Sequence, residues 1–151
     1  MKKNIITPFI SLAVVFFDYI TKRLIVSNVT PFEHIDVLPF LRIVHVENKG
    51  AAFGIMSNLD NRFFIAISII AITTILIYAY KAAKGTEIYA LSLILGGATG
   101  NLIDRFISGK VIDFIDFYIG KWHWPSFNVA DSALTVGIAI FIWSNFNIRK
   151  A

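Results

Sequence analysis

An uncharged stretch of 18 residues, 63–80, is the strongest structural constraint in this sequence. A helix of this length can cross the hydrocarbon core of a membrane, which is about 30 Å thick. Three further apolar stretches lie at about 5–26, 88–103 and 128–146. Hydrophobic residues make up 56% of the 151 residues, which exceeds the apolar share of a typical soluble domain. The sequence therefore predicts an all-α membrane protein with four transmembrane helices.

No internal repeat or low-complexity tract divides the chain, so we expect a single domain over residues 1–151. Four spans place both termini on the same side of the membrane. Cationic side chains are densest in three very short segments, and the positive-inside rule assigns such segments to the cytoplasm. These side chains are Lys2, Lys3, Lys81, Lys84, Arg149 and Lys150. The two longer loops are then predicted on the outer face.

The first long loop carries a β-branched, partly alternating segment at residues 40–47, which predicts a short strand. It leads into a glycine-containing turn at residues 48–54, where Gly50 allows a tight bend. A small extracytoplasmic β-sheet of this kind suits a peptide bound in extended form by strand addition. The second loop is rich in aromatic rings, which are typical of the membrane interface. Those rings belong to Phe114, Phe117, Tyr118, Trp122, Trp124 and Phe127.

Several classes of chemistry are disfavoured by residues that the sequence lacks or scatters. There is no cysteine, so thiolate nucleophiles and thiolate metal sites are excluded. The three histidines occur without an H-E-x-x-H motif or an acidic cluster, and no serine lies in a G-x-S-x-G motif. The net charge of +4 comes from residues near the ends of apolar runs rather than from a basic stripe. We therefore expect no metal, no cofactor and no nucleic-acid partner.

Two aspartates, Asp113 and Asp131, lie at the predicted outer end of the helical bundle. An ionised carboxylate near hydrocarbon is costly, and such residues usually have a function. Two carboxyls that share one water hold a single proton between them and supply a base and an acid together. Asn128 and Asp131 also match the N-cap and N3 positions of the fourth helix, where the helix dipole favours an anion. Asp131 is accordingly the predicted ionised partner.

A purely structural interpretation is equally compatible with this spacing. Asp131 would then only cap a helix, and Asp113 would only pair with a loop cation such as Lys110. Asp18 and Lys22 are four residues apart on the first helix, where an ion pair with the lysine extended to the interface is the common arrangement. Two further charged residues, Asp104 and Arg105, are most simply a boundary pair that ends the third helix.

Five blocks of the sequence resemble, in order, the motifs of the bacterial lipoprotein signal peptidases, also called signal peptidase II. The blocks are DYITK at 18–22, NKGAAF at 48–53, GGATGNLIDR at 96–105, VIDF at 111–114 and FNVAD at 127–131. They extend from the first apolar stretch into the fourth.

The resemblance implies an intramembrane aspartic endopeptidase with Asp113 and Asp131 as the catalytic pair. It further implies a group of residues that surround or support the site or bind substrate: Asp18, Lys22, Asn48, Gly50, Asn101, Asp104, Arg105 and Asn128. The implied substrate is a prolipoprotein whose lipobox cysteine carries a diacylglyceryl group, and the implied cleavage is just before that cysteine. The implied location is the bacterial cytoplasmic membrane, with the active site near its outer face.

Two other functions remain open at the level of sequence. Intramembrane acids such as Asp18, Asp113 and Asp131 could form the proton relay of a small transporter. The chain could also be a scaffold that binds lipids or lipoproteins without cleaving them. As a peptidase, we expect it to be a monomer in contact with membrane lipids and prolipoproteins.

Overall fold

The computed structural model describes residues 3–50, 59–81 and 83–148, and within them it contains four helices and four strands. The elements are α1 (Lys3–Asn28), β1 (His34–Leu38), β2 (Leu41–Asn48), α2 (Asn61–Lys81), α3 (Glu87–Ser108), β3 (Val111–Ile119), β4 (Trp122–His123) and α4 (Val129–Ile148). These elements confirm the predicted number of helices and the small sheet. The turn beyond Gly50, at residues 51–54, lies outside the described residues, as do Lys2, Arg149 and Lys150.

The four strands form one antiparallel sheet in the order β1-β2-β3-β4. β2 includes the strand predicted at residues 40–47. β3, however, occupies a segment that was predicted as a loop, and that prediction was wrong. Residues 111–114 are all buried, so the polar and apolar alternation that reveals a half-exposed strand is missing. The ring of Phe114, predicted at the membrane interface, is 6% exposed and belongs to the core.

The sheet determines where the fourth helix begins. The backbone N–H groups of Phe114 and Ile115 donate to the carbonyl of Phe127, and the N–H of Phe127 donates back to Ile115. These bonds hold Phe127, two residues before the start of α4, against the middle of β3. The first turn of α4 is therefore fixed beside Asp113, which is opposite Val46 in the register between β2 and β3.

α3 is the central helix and packs against α1, α2 and α4. Glycines allow these close approaches, as the small-residue pattern at Gly96 and Gly100 predicted. A Cβ atom on Gly96 would lie 2.7 Å from Cβ of Val14, and one on Gly100 would lie 2.7 Å from Oδ2 of Asp18. A Cβ atom on Gly97 would collide with the backbone carbonyl of Ala130. The α3–α4 contact thus depends on the absence of a side chain at Gly97.

We expect Gly97→Ala to destabilise the protein by about 1–3 kcal/mol, the usual cost of overpacking a dense interior. The obstacle is backbone rather than a flexible side chain, so α4 must move as a whole. Thermal unfolding in detergent measures the effect. Ala139→Val adds bulk on the exposed side of α4 and is the matched control. Equal melting temperatures for Gly97→Ala and the wild type would contradict the close contact.

The helix bounds differ from the predicted ones most clearly in α3. It continues to Ser108 and ends at Gly109, which adopts a left-handed conformation with φ 74°. Asp104 and Arg105 therefore lie inside the helix, and their interpretation as a boundary pair was wrong. The sequence prediction stopped at the first charges, whereas the fold supplies partners for both of them. α1 begins two residues before its predicted range and ends two residues after it, and α2 covers 61–81 instead of the predicted 63–80.

Among the residues that the structure describes, two helices, α2 and α4, have the length and the apolar composition needed to cross a membrane. α1 has 26 residues and α3 has 22, so both are also long enough for such a span. Large apolar side chains on α1 are nevertheless exposed, with Phe9 72% and Leu12 67% accessible. Exposed apolar surface on this scale indicates contact with lipid or with another apolar partner.

Candidate active site

Asp113 and Asp131 line one cavity of about 540 Å³, which has the size of a small-molecule or peptide side-chain site. Asp113 comes from β3 and is 3% exposed, whereas Asp131 comes from the first turn of α4 and is half-buried. Asn48, Asn101 and Arg105 also line the cavity. The structure thus brings together residues that lie up to 83 positions apart, from 48 to 131.

Asn128 connects the two aspartates and is completely buried. Its Nδ2 donates to Oδ1 of Asp113 at 2.7 Å, and its Oδ1 accepts the backbone N–H of Asp131 at 2.8 Å. Oδ2 of Asp131 in turn accepts the backbone N–H of Asn128 at 3.2 Å. This reciprocal pair is the predicted capping arrangement at the start of α4. The side chain of Asn128 therefore both caps the start of α4 and donates a hydrogen bond to the carboxylate of Asp113.

Three asparagines aim their amide nitrogens at the two carboxylates. Besides Asn128, Asn48 donates from Nδ2 to Oδ2 of Asp113 at 3.0 Å, and Asn101 donates from Nδ2 to Oδ1 of Asp131 at 2.7 Å. Each carboxylate therefore has at least one amide donor. Such donors favour the charged form of a carboxylate.

Burial works in the opposite direction at Asp113. Loss of hydration is the largest influence and, with the nearby charge of Asp131, raises its pKa from 3.8 to about 6, although hydrogen bonds from Asn48 and Asn128 oppose this. A carboxyl with such a pKa retains a protonated fraction near neutral pH. Asp113 can therefore serve as a proton donor where an ordinary aspartate could not.

The raised pKa of Asp113 predicts how stability depends on pH. A carboxyl whose pKa is higher in the folded state stabilises the fold most below pH 4, and this contribution is lost as the pH rises through about 6. The difference between 3.8 and about 6 corresponds to about 3 kcal/mol. We expect the melting temperature of the wild type to fall over this interval and the fall to be much smaller in Asp113→Asn. Asp36→Asn, on an exposed strand, should retain the wild-type profile; an equal profile in Asp113→Asn would contradict the prediction.

A buried ionic cluster supports the site from the side of α1. Nζ of Lys22 lies 2.7 Å from Oδ2 of Asp18, 2.9 Å from Oδ2 of Asp104 and 3.0 Å from Oδ1 of Asn101. Lys22 is 2% exposed, so the prediction that it extends to the membrane interface was wrong. Its three acceptors satisfy all three protons of the ammonium, which makes burial tolerable. Asp18 also accepts the backbone N–H of Ala130 at 2.8 Å, beside the first turn of α4.

Arg105 and Gly50 meet at the other side of the cavity. Nη2 of Arg105 donates to the carbonyl of Gly50 at 2.9 Å, and the N–H of Gly50 donates to Oδ1 of Asn48 at 2.9 Å. Of the ten residues predicted for the site, five line the cavity and three, Lys22, Gly50 and Asn128, bond to a residue that does. The other two, Asp18 and Asp104, reach the site only through Lys22. The alternative pairing of Asp113 with Lys110 was wrong, because Lys110 pairs with Glu47 at 2.6 Å.

The sequence interpretation missed some of the cavity wall. Ser132, Thr135 and Val136 of α4 line the cavity. Thr135 lies four residues after Asp131, on the same face of the helix, and this spacing was the signal that could have identified it. The sequence interpretation also missed a second polar cluster on the sheet, in which Asp116 is paired with Arg42 and His123. Asp116 is separated from Asp113 by two residues of the same strand and does not line this cavity.

Comparisons with known proteins agree with the residues assembled here. A family model described as signal peptidase (SPase) II matches residues 10–147. A lipoprotein signal peptidase of Thermodesulfovibrio yellowstonii is 47% identical over 133 residues, covering 87% of this chain and 88% of the relative. Another, of Hydrogenovibrio crunogenus, is 37% identical over 150 residues, covering 96% and 87%.

The fold is similar to that of a solved bacterial membrane enzyme determined by the in meso method at 2.3 Å resolution. The TM-score is 0.88 with 38% sequence identity, and the match covers 93% of this chain and 87% of the other. The match of the family model over most of the chain and the identity to these relatives carry the same conclusion. This chain belongs to the signal peptidase II family.

Proposed function

We propose that the protein is an aspartic endopeptidase that removes the signal peptide from prolipoproteins, with Asp113 and Asp131 as its catalytic pair. The observation that carries the proposal is that these two carboxylates line one cavity and both accept hydrogen bonds from Asn128. The carboxylate of Asp113 accepts from the side-chain nitrogen of Asn128, and that of Asp131 accepts from its backbone N–H. Membership of the signal peptidase II family supports peptide-bond hydrolysis.

The environments of the two aspartates support a division of labour. Asp131 accepts hydrogen bonds from Asn101 and from a backbone N–H at the start of α4, where the helix dipole also favours an anion. Asp113 is more deeply buried and has a pKa of about 6. Asp131 is accordingly the ionised base, and Asp113 is the protonated acid. Unequal environments of this kind are how a carboxyl pair acquires two roles.

In the proposed reaction, Asp131 takes a proton from a water molecule while the oxygen of that water bonds to the carbonyl carbon of the scissile peptide. Asp113 gives its proton to the carbonyl oxygen, which yields a neutral tetrahedral diol. The proton on Asp131 then passes to the amide nitrogen as the C–N bond breaks. A hydroxyl proton of the diol returns to Asp113, so both carboxyls recover their starting states.

The proposed substrate is a prolipoprotein whose lipobox cysteine already carries a diacylglyceryl group, with cleavage just before that cysteine. Apolar residues of α4, Leu134 and Val136, continue the cavity wall away from the carboxylates. The acyl chains would keep the scissile bond at the membrane surface, and the substrate would enter sideways from the bilayer. Strand addition of the substrate to the small sheet stays a prediction.

We further propose that all four helices span a bacterial cytoplasmic membrane, with both termini in the cytoplasm and the sheet on the outer face. α1 and α3 would tolerate their charges because Lys22 is paired with both Asp18 and Asp104 inside the bundle. The chain would act as a single monomeric domain without a cofactor. The transporter and scaffold alternatives are not favoured by the family to which the chain belongs.

The purified protein in liposomes should convert a lipidated prolipoprotein into two products, a free signal peptide and a protein that begins with the lipidated cysteine. Mass spectrometry in ¹⁸O-labelled water should find the label in the new carboxyl terminus of the signal peptide, because the oxygen comes from water. The same precursor without its diacylglyceryl group is the control and should be cleaved poorly. Absence of products from the lipidated precursor would contradict the proposal.

A further inference from the structure

Lys22 bonds to neither carboxylate, yet it bonds to Asn101, which donates to Asp131. Lys22 lies on α1, 2% exposed, and its ammonium bonds to Asp18, Asp104 and the side-chain oxygen of Asn101. Two acidic partners would be enough to neutralise it. The third bond satisfies the remaining proton of the ammonium, and it joins Lys22 to a neutral amide that itself contacts Asp131.

The role of this third bond follows from how the three asparagine amides are oriented. In Asn48 and Asn128, the amide oxygen accepts a backbone N–H, from Gly50 and Asp131 respectively, and the nitrogen is left to face Asp113. A backbone N–H can only donate, so it forces the oxygen of the amide to face it. These two asparagines are thus oriented by the main chain.

Within the described residues, the side-chain oxygen of Asn101 accepts no backbone N–H. Its oxygen faces the ammonium of Lys22 at 3.0 Å and Nδ2 of Asn128 at 3.3 Å, and its nitrogen faces Asp131 at 2.7 Å. A rotation of the amide by 180° would place an NH₂ group against an ammonium and an oxygen against a carboxylate. Both new contacts would be repulsive, so the ammonium of Lys22, together with the carboxylate of Asp131, selects the observed orientation.

We propose that Lys22 is a positioning residue of the peptidase, whose buried ammonium fixes the amide of Asn101 so that its nitrogen donates to Asp131. The inference rests on the proposed role of Asp131 as the base. Lys22 acts through Asn101 and has no direct contact with substrate. The cluster of Lys22, Asp18 and Asp104 is therefore part of the catalytic apparatus rather than only a means of joining α1 to α3.

The inference predicts a change in the pH profile as well as in the rate. The charged groups around Asp131 come from three elements: Asp18 and Lys22 from α1, Asp104 and Arg105 from α3, and Asp113 from β3. Without the ammonium to orient it, the amide of Asn101 no longer donates reliably, so the carboxyl pair loses a hydrogen bond that favours its ionised form. The acidic limb of the kcat profile should then move to higher pH.

The test begins with Lys22→Met, which keeps a long apolar stem but removes the charge. We expect kcat to fall by about 10- to 100-fold, the effect of losing one hydrogen bond to a charged group, with little change in KM and with the shifted acidic limb. Lys81→Met, at the exposed end of α2, removes the same charge far from the site and should match the wild type in all three. Wild-type kcat in Lys22→Met would overturn the proposal.

A second variant separates orientation from charge compensation. Lys22→Met leaves Asp18 and Asp104 buried without a cation, which by itself threatens folding. The double variant Asp18→Asn with Lys22→Met keeps the net charge of the three-residue cluster at its original −1, and an asparagine at position 18 can still accept the N–H of Ala130. We expect this variant to fold and to retain the loss in kcat. Recovery of wild-type kcat would show that only the charge balance mattered and would overturn the proposal.

A double-mutant cycle with Asn101→Ala gives the decisive comparison. If Lys22 acts through Asn101, adding Lys22→Met to Asn101→Ala should leave kcat and the pH profile unchanged, although the melting temperature falls further. A full additional loss of kcat would overturn the proposal. Asp131→Asn distinguishes this failure from that of the proposed function: wild-type cleavage by Asp131→Asn would contradict the base itself, and hence any residue said to position it.

Discussion

Replacing either Asp113 or Asp131 by asparagine is expected to slow signal-peptide removal by at least about 10³-fold. General acid and base groups each contribute about 10² to 10⁴ to a rate, and an amide of nearly the same shape can neither accept nor release the proton. The two variants should be similarly inactive because one proton is shared and loss of either carboxyl ends the cycle. The assay is conversion of a diacylglyceryl-modified precursor in liposomes, followed by mass spectrometry.

A matched control is available on the same strand. Asp116→Asn changes a second buried aspartate of β3, which pairs with Arg42 and His123 away from the cavity. We expect Asp116→Asn to keep measurable peptidase activity at the level its stability allows, while circular dichroism and membrane extraction confirm that all three variants fold. Cleavage at the wild-type rate by Asp113→Asn or Asp131→Asn would refute the catalytic pair.

Substitution of Asn128 is expected to have the next largest effect, because this one side chain serves both the helix and the acid. Asn128→Ala removes the N-cap of α4 and leaves buried polar groups without a partner. The expected destabilisation is about 2–4 kcal/mol. The melting temperature in detergent should fall clearly, and cleavage should be lost with it. Asn28→Ala, at the exposed end of α1, is the structural control.

Asn128→Asp separates the two roles of that side chain. Aspartate is as good an N-cap as asparagine, so α4 should begin normally. The variant nevertheless replaces the donor that lies 2.7 Å from Oδ1 of Asp113 by a third carboxylate. We expect a folded protein whose cleavage rate is lower by about 100-fold, from the loss of a hydrogen bond to a charged group, and lower still at high pH. Wild-type activity in Asn128→Asp would show that the amide donor is dispensable.

The local features of the fold were predictable because their signals lie close together in the chain. Apolar stretches identified all four helices, and the N-x-x-D spacing from Asn128 to Asp131 identified the start of α4. The strand β2 was predictable from its β-branched residues. β3 was not, because both of its faces are covered in its first four residues and no alternation remains. α3 was predicted too short because the partners of Asp104 and Arg105 come from other elements.

The amino-acid sequence by itself determined the four helices, which follow from residue types. Its motif blocks indicated the family and the two aspartates that we propose as the catalytic pair. Only the tertiary structure decided that Lys22 is buried instead of extended to the interface, and that three asparagine amides face the carboxylates. The sequence does not specify which of its two orientations an asparagine amide adopts. The choice between them is made by donors such as Lys22 on α1 and the backbone of Gly50, which reach the site only when the helices and the sheet have packed together.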